Sequence, residues 1–213
     1  MERIRRGKLP EYVWPVSHIR RLIVHMMNKK KTAPAREIST EKFCAGNSGE
    51  TEMAYETYQM VTGTIMEIRD MESDCCAKTI SINNRGQEVQ FVVSGRTLVI
   101  NNTMLRTGMR VAAFYDANLP TPAVYPPRYR AEIITMLWRN QSVKLAYFDE
   151  NLLAVDNSLQ LNPDRLTRIT TANGQSYNCS PGGADLLVYY TAVTRSLPPI
   201  TTPQKIIVLC PDV

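Results

Sequence analysis

The residues best suited to recognition chemistry sit in two proline-containing loops. Tyr125-Pro126-Pro127-Arg128-Tyr129-Arg130 places two arginines beside two tyrosines. A guanidinium stacks on aromatic faces and grips anions through its planar fork. The run therefore suits contact with single-stranded nucleic acid or a sugar chain. A partner protein or peptide taken through the proline loops is the competing use. The second loop carries Arg195 between Thr194 and Ser196, ahead of Pro198-Pro199. Tyr125, Arg128, Tyr129, Arg130 and Arg195 are thus the candidate ligand-binding residues. A structural reading stands beside each. Pro-Pro stiffens a long connection, and tyrosine is often half-buried as packing.

Catalytic chemistry is poorly supplied. The only histidines are His18 and His25, so residues 51–213 have none. Ser-His and Cys-His catalysis and histidine metal sites are excluded there. No GxxxxGK[ST] or GxGxxG phosphate loop occurs. Gly182-Gly183 reads as a turn. Asp149-Glu150-Asn151 reads as a turn between strands rather than an acid/base pair. The five cysteines, Cys44, Cys75, Cys76, Cys179 and Cys210, form no CxxC pair. An odd, scattered set suggests free thiols in a reducing compartment. Cys75-Cys76 has acidic neighbours Glu72 and Asp74, which do not favour a reactive thiolate. The expectation is a non-enzymatic protein with no catalytic residue, no metal site and no cofactor.

Charge qualifies the nucleic-acid reading. The chain of 213 residues carries a net charge of +5. Residues 1–50 hold 11 Lys/Arg and 5 Asp/Glu, and the remainder holds 14 and 15. The basicity therefore belongs to the tail, whereas phosphate binding needs clustered cations on the folded body. In the tail, Ile19, Leu22, Ile23 and Met26 fall at helical spacing around Arg20 and Arg21, as in a short amphipathic helix. The rival reading takes Met26-Met27-Asn28-Lys29-Lys30-Lys31 as a natural start, with 1–26 an untranslated extension. Residues 28–54 read as a disordered linker. No run is long and apolar enough to span a bilayer as a helix, and cytoplasmic residence follows by default.

The elements that position these loops are strands. Thirteen prolines and ten glycines favour turns over long helices. Thr62–Ile68 and Thr79–Ile82 are β-rich. The turn Asn83-Asn84-Arg85-Gly86 leads into Gln87–Val93, where Val89, Phe91 and Val93 share one face, opposite Glu88 and Gln90. Met109–Tyr115 and Ala131–Met136 complete the set. The second half repeats the plan through Val143–Phe148, Leu159–Leu161, Leu166–Thr171 with the turn Asn173-Gly174, Leu186–Tyr190 and Lys205–Leu209. Phe114-Tyr115, Pro126-Pro127 and Ile133-Ile134 recur in order as Tyr189-Tyr190, Pro198-Pro199 and Ile206-Ile207. That shared order argues for duplication.

About five strands in about 75 residues suit a small barrel, and the OB-fold is the first candidate. Thr103–Arg106 lies near where that fold often places a helix. An SH3-like barrel and a single sandwich are the rivals. The expected fold is all-β: two tandem small OB-like barrels after a basic, largely disordered N-terminal tail. The boundaries are 1–54 for the tail, 55–138 for the first barrel and 139–213 for the second.

Three runs, Phe148-Asp149-Glu150-Asn151-Leu152, Tyr125–Arg130 and Thr194–Pro199, resemble an uncharacterised family of tandem small-barrel proteins from Gram-positive anaerobic bacteria. The resemblance spans about residues 58–210 and implies architecture and bacterial origin, but no activity. The functional expectation is a binding protein. Its partner is a protein or peptide, held through the proline loops or the cleft between barrels, or alternatively single-stranded nucleic acid or polysaccharide. A carboxylate-dependent enzyme is the remaining class, requiring a deep pocket with two converging acids.

Overall fold

A computed structural model describes residues 55–210. The basic tail, its candidate helix, the linker and Cys44 lie outside the described residues. The described chain is all-β, with no α-helix. Residues 46–213 form one compact unit.

Thirteen strands follow in order: β1 (Tyr58–Met71), β2 (Asp74–Asn84), β3 (Gln87–Val93), β4 (Leu98–Val99), β5 (Arg110–Asp116), β6 (Arg128–Arg130), β7 (Ile133–Met136), β8 (Ser142–Phe148), β9 (Gln160–Leu161), β10 (Arg168–Thr171), β11 (Ala184–Tyr190), β12 (Ile200–Thr201) and β13 (Lys205–Leu209). The first half makes a seven-stranded sheet, ordered β4-β7-β5-β1-β2-β3-β6. The second makes a four-stranded sheet, β10-β13-β11-β8, with a two-stranded sheet, β12-β9. In no sheet do the ladders form a closed barrel. Thr103–Arg106 is irregular, and only a one-turn 3-10 segment, Ile100–Asn102, precedes it. Positive φ at Asn101 and Asn102 breaks the helical path there.

Local rules explain most elements. Arg85 (φ 52°) and Gly86 (φ 92°) take the left-handed positions of the β2–β3 hairpin, and the Gly86 amide donates to Asn83 Oδ1 at 2.7 Å. Asn83 therefore anchors the turn, and Arg85 carries the unusual dihedral. Gly63 serves packing instead. β1 pairs β5 through Tyr58–Thr64, then β2 from Thr64 onward. A Cβ on Gly63 would stand 2.2 Å from the Asn83 carbonyl oxygen, so only glycine fits this crossing.

The two halves repeat in their pairing as well as their sequence. In the first, β3 runs parallel to β6 and β4 parallel to β7. In the second, β9 runs parallel to β12 and β10 parallel to β13. Both β5 and β11 pair antiparallel with the strand that closes their half. The peptide bonds Tyr125-Pro126 and Leu197-Pro198 are both cis.

Alternating side chains bind the halves together. In β5, Val111 and Ala113 enter the core of the first half, with Ile65, Ile80, Phe91 and Ile134. Ala112 and Phe114 face the other way, into a cluster shared with Val143, Leu187, Tyr189, Ile207 and Leu209. In β11, Leu186 and Val188 fill the core of the second half, while Leu187 and Tyr189 enter the shared cluster. Strand periodicity of two produces both assignments. A boundary between residues 138 and 139 falls between Leu137 and Val143, both in that shared cluster. The Thr135 and Tyr189 hydroxyls meet inside it at 2.6 Å. Burial pushes the Tyr189 phenol up to about 12.

Candidate functional site

The loop between β5 and β6 and the strands it joins form a pocket of about 240 Å³. Val92, Tyr115 and Arg128–Arg130 provide one wall, and Leu119, Pro120 and Pro122 the other. Three of the five candidate residues therefore converge.

Each is held differently. Tyr129 stacks on Tyr115 with ring centroids 4.1 Å apart and 24° between planes. Phe91 lies beneath both rings, at 6.0 Å from Tyr115 and 5.8 Å from Tyr129. The Tyr115 hydroxyl donates to Gln59 Oε1 at 2.9 Å, and burial raises its pKa. Arg128 donates from Nε and Nη2 to Gln90 Oε1 at 3.2 and 3.1 Å. That acceptor is neutral, so the guanidinium is oriented while its charge is kept. Arg130 differs: its Nε meets Glu132 Oε1 at 2.5 Å, and the pair neutralises itself. Asp116 adds a carboxylate at the rim. Hydrogen bonds from the Thr57 hydroxyl and the Asn118 amide hold its pKa below the usual range.

Tyr125 and Arg195 lie elsewhere. Tyr125 is 93% exposed at the loop tip and does not line the pocket. Arg195 is exposed in the second proline loop, where Thr194 and Ser196 hydroxyls bond each other at 2.6 Å. Leu197, just before its cis bond, is 97% exposed. The pocket also uses residues that the sequence did not single out for binding. Gln90 is buried on the outer face of β3, under Arg128. Pro120 and Pro122 flank Thr121, a spacing that could have flagged this wall.

A second cavity, about 350 Å³, lies between the halves. Tyr55, Glu56 and Tyr58 line one side, and Lys144–Tyr147 with Val155 and Asp156 the other. Tyr55 and Tyr58 pack edge to face, with centroids 4.9 Å apart. Burial, then Glu132, pushes the Tyr58 phenol up to about 12. Lys144 Nζ reaches Asp156 Oδ2 at 2.6 Å. Burial pushes Asp156 up, but hydrogen bonds from Lys144 and Ser158 outweigh it and leave its pKa lowered.

The other sequence features have local roles. Asp149 Oδ1 accepts from the amides of Asn151 and Leu153, both at 2.9 Å, which makes Asp149-Glu150-Asn151 a turn. Cys75 and Cys76 are exposed neighbours on β2, and neighbours along a strand point to opposite faces. Their thiols cannot chelate one ion without distorting the strand. No helix of the described residues is long and apolar enough to cross a membrane. Neither the protein-family models nor the curated proteins contain a match to this chain.

Proposed function

We propose that this chain is a non-enzymatic binding protein of two OB-like barrels, which holds a protein or peptide partner at the proline-loop pocket. The cleft between the halves is its second surface. The observation that carries the reading is the pocket wall: proline, leucine and valine around a stacked tyrosine pair, with one oriented, uncompensated arginine, Arg128. Apolar and aromatic lining with a few fixed polar groups is how binding sites secure both affinity and orientation.

The OB-like reading draws on strand order. Residues 87–99 and 128–136 run parallel through two short ladders, tied between them by Ala131 N to Val92 O at 2.9 Å and Leu98 N to Glu132 O at 2.8 Å. From β1 the neighbours run through β2, β3–β4, β6–β7 and β5, then back to β1. A five-stranded, partly open Greek-key barrel has this circuit. The likeness to a bacterial tandem-barrel family belongs to the same proposal, as does cytoplasmic residence.

A nucleic-acid or glycan ligand is the second reading, favoured by the Tyr115–Tyr129 stack beside Arg128. Charge weighs against it. Arg130 is neutralised by Glu132, and Asp116 stands at the rim, so the pocket offers phosphates no cluster of cations. Fluorescence anisotropy of the full chain with labelled proline-containing peptides and single-stranded oligonucleotides separates the two. Peptide binding lost in Arg128→Ala supports the first reading. Salt-weakened oligonucleotide binding alone, also lost in Arg128→Ala, establishes the second.

A further inference from the structure

The strand that borders the inter-half cleft has an unpaired edge. β8 hydrogen-bonds β11 along its whole length on one side. On the other, the neighbouring chain segment covers only its end: Val155 N donates to Tyr147 O at 3.1 Å, and Asp149 N to Leu153 O at 2.9 Å. Phe148 O accepts from Gly183 on the β11 side at 2.9 Å. Backbone direction alternates along a strand, so Val143 and Leu145 share the orientation of Tyr147, away from β11. Their N–H and C=O groups point outward with no ladder partner among the described residues.

We propose that this edge takes up an extended, basic peptide segment of a partner protein as an added β-strand. The inference deepens the second surface of the binding role and rests on the chain being a peptide binder. Two outward N–H groups and two outward C=O groups, two residues apart, match the hydrogen-bonding repeat of an extended chain. The cleft beside them gives alternate side chains a place to enter. Its charge selects their sign. Lys144 and Asp156 satisfy each other, which leaves Glu56 as the carboxylate without an ion pair. Tyr55, Tyr58 and Tyr147 supply aromatic surface around it. A lysine or arginine of the incoming strand meets a carboxylate and aromatic rings. A strand with acidic side chains meets Glu56 as a like charge.

The test uses the full chain and two acetylated hexapeptides, one alternating valine with lysine and one alternating valine with glutamate. Amide exchange is followed by NMR. In the free protein, the Val143 and Leu145 amides exchange fast. The lysine peptide slows both by about tenfold or more, as expected for newly bonded amides. The glutamate peptide slows them less, and Glu56→Gln narrows the difference. Leu145→Pro removes one edge donor and weakens binding about fivefold or more, whereas Leu145→Ala keeps the donor and most of the affinity. Should the proline variant not fold, exchange in Leu145→Ala decides. Slow exchange of both amides in the free protein overturns the proposal. Protection around Val92 and Tyr129 instead overturns it while sparing the peptide-binding role. No protection anywhere overturns both.

Discussion

Asp185 offers a quantitative test of how the two halves are joined. It lies on β11, paired between Leu209 and Tyr147. It shares the face of Leu187 and Tyr189, which enter the common core. One of its oxygens, Oδ1, is buried without a hydrogen-bond partner. Desolvation therefore pushes the carboxyl up to about 6, from an ordinary 3.8. The folded protein holds this proton more tightly than the unfolded chain does. The group's penalty is thus absent below about pH 4, grows as pH rises towards 6, and is constant above. About two units at 1.36 kcal/mol each set a ceiling of about 3 kcal/mol. The residue is half-buried, and solvent screening lowers the expected value to about 1–1.5 kcal/mol. Asp185→Asn removes the ionisable group at nearly constant volume. Urea unfolding should show the variant more stable by that amount near pH 7.5, with the gain vanishing near pH 4. Other carboxylates titrate in both proteins and cancel in the difference. A gain independent of pH, or a less stable variant near pH 7.5, refutes the assignment of a desolvated carboxylate to this face.

Leu187→Ala empties part of the shared core and should cost about 2–5 kcal/mol, with both halves still unfolding in one transition by tyrosine fluorescence and circular dichroism. Gly63→Ala drives a methyl into the Asn83 carbonyl and should destabilise by about 1–3 kcal/mol or more in the same urea assay. Tyr189→Phe strips the Thr135 hydroxyl of its buried partner and should cost about 1–3 kcal/mol, measured by the shift in Cm. Arg128→Ala should change stability by no more than about 0.5 kcal/mol while abolishing peptide binding in the anisotropy assay, because its side chain is at the surface.

Sequence alone determined the strands and their repetition. Gln87–Val93 reads as a strand from its alternation and is β3, residue for residue. The paired motifs around Pro126-Pro127 and Pro198-Pro199 forecast two halves of one plan, and the ladders of both halves repeat in the same order. Periodicity and turn chemistry are local, so a single chain reveals them. The run Val111-Ala112-Ala113-Phe114 also declared burial on both faces, because no polar residue alternates through it. What covered the second face was not legible: Leu187 and Tyr189, more than 70 positions away, depend on how the sheets pack. The site divides similarly. Arginine and tyrosine marked the loop, but register decided the chemistry. Parallel pairing of β3 with β6 puts Gln90 beside Arg128, 38 residues on, and so orients one guanidinium with its charge intact. Two residues further, Arg130 meets Glu132 and loses its charge to the pair. Tyr125 and Arg195, alike in type, were left outside the pocket. Residue type fixes what a side chain can do, whereas non-local strand pairing, set by burial and backbone hydrogen bonding together, decides which side chains meet.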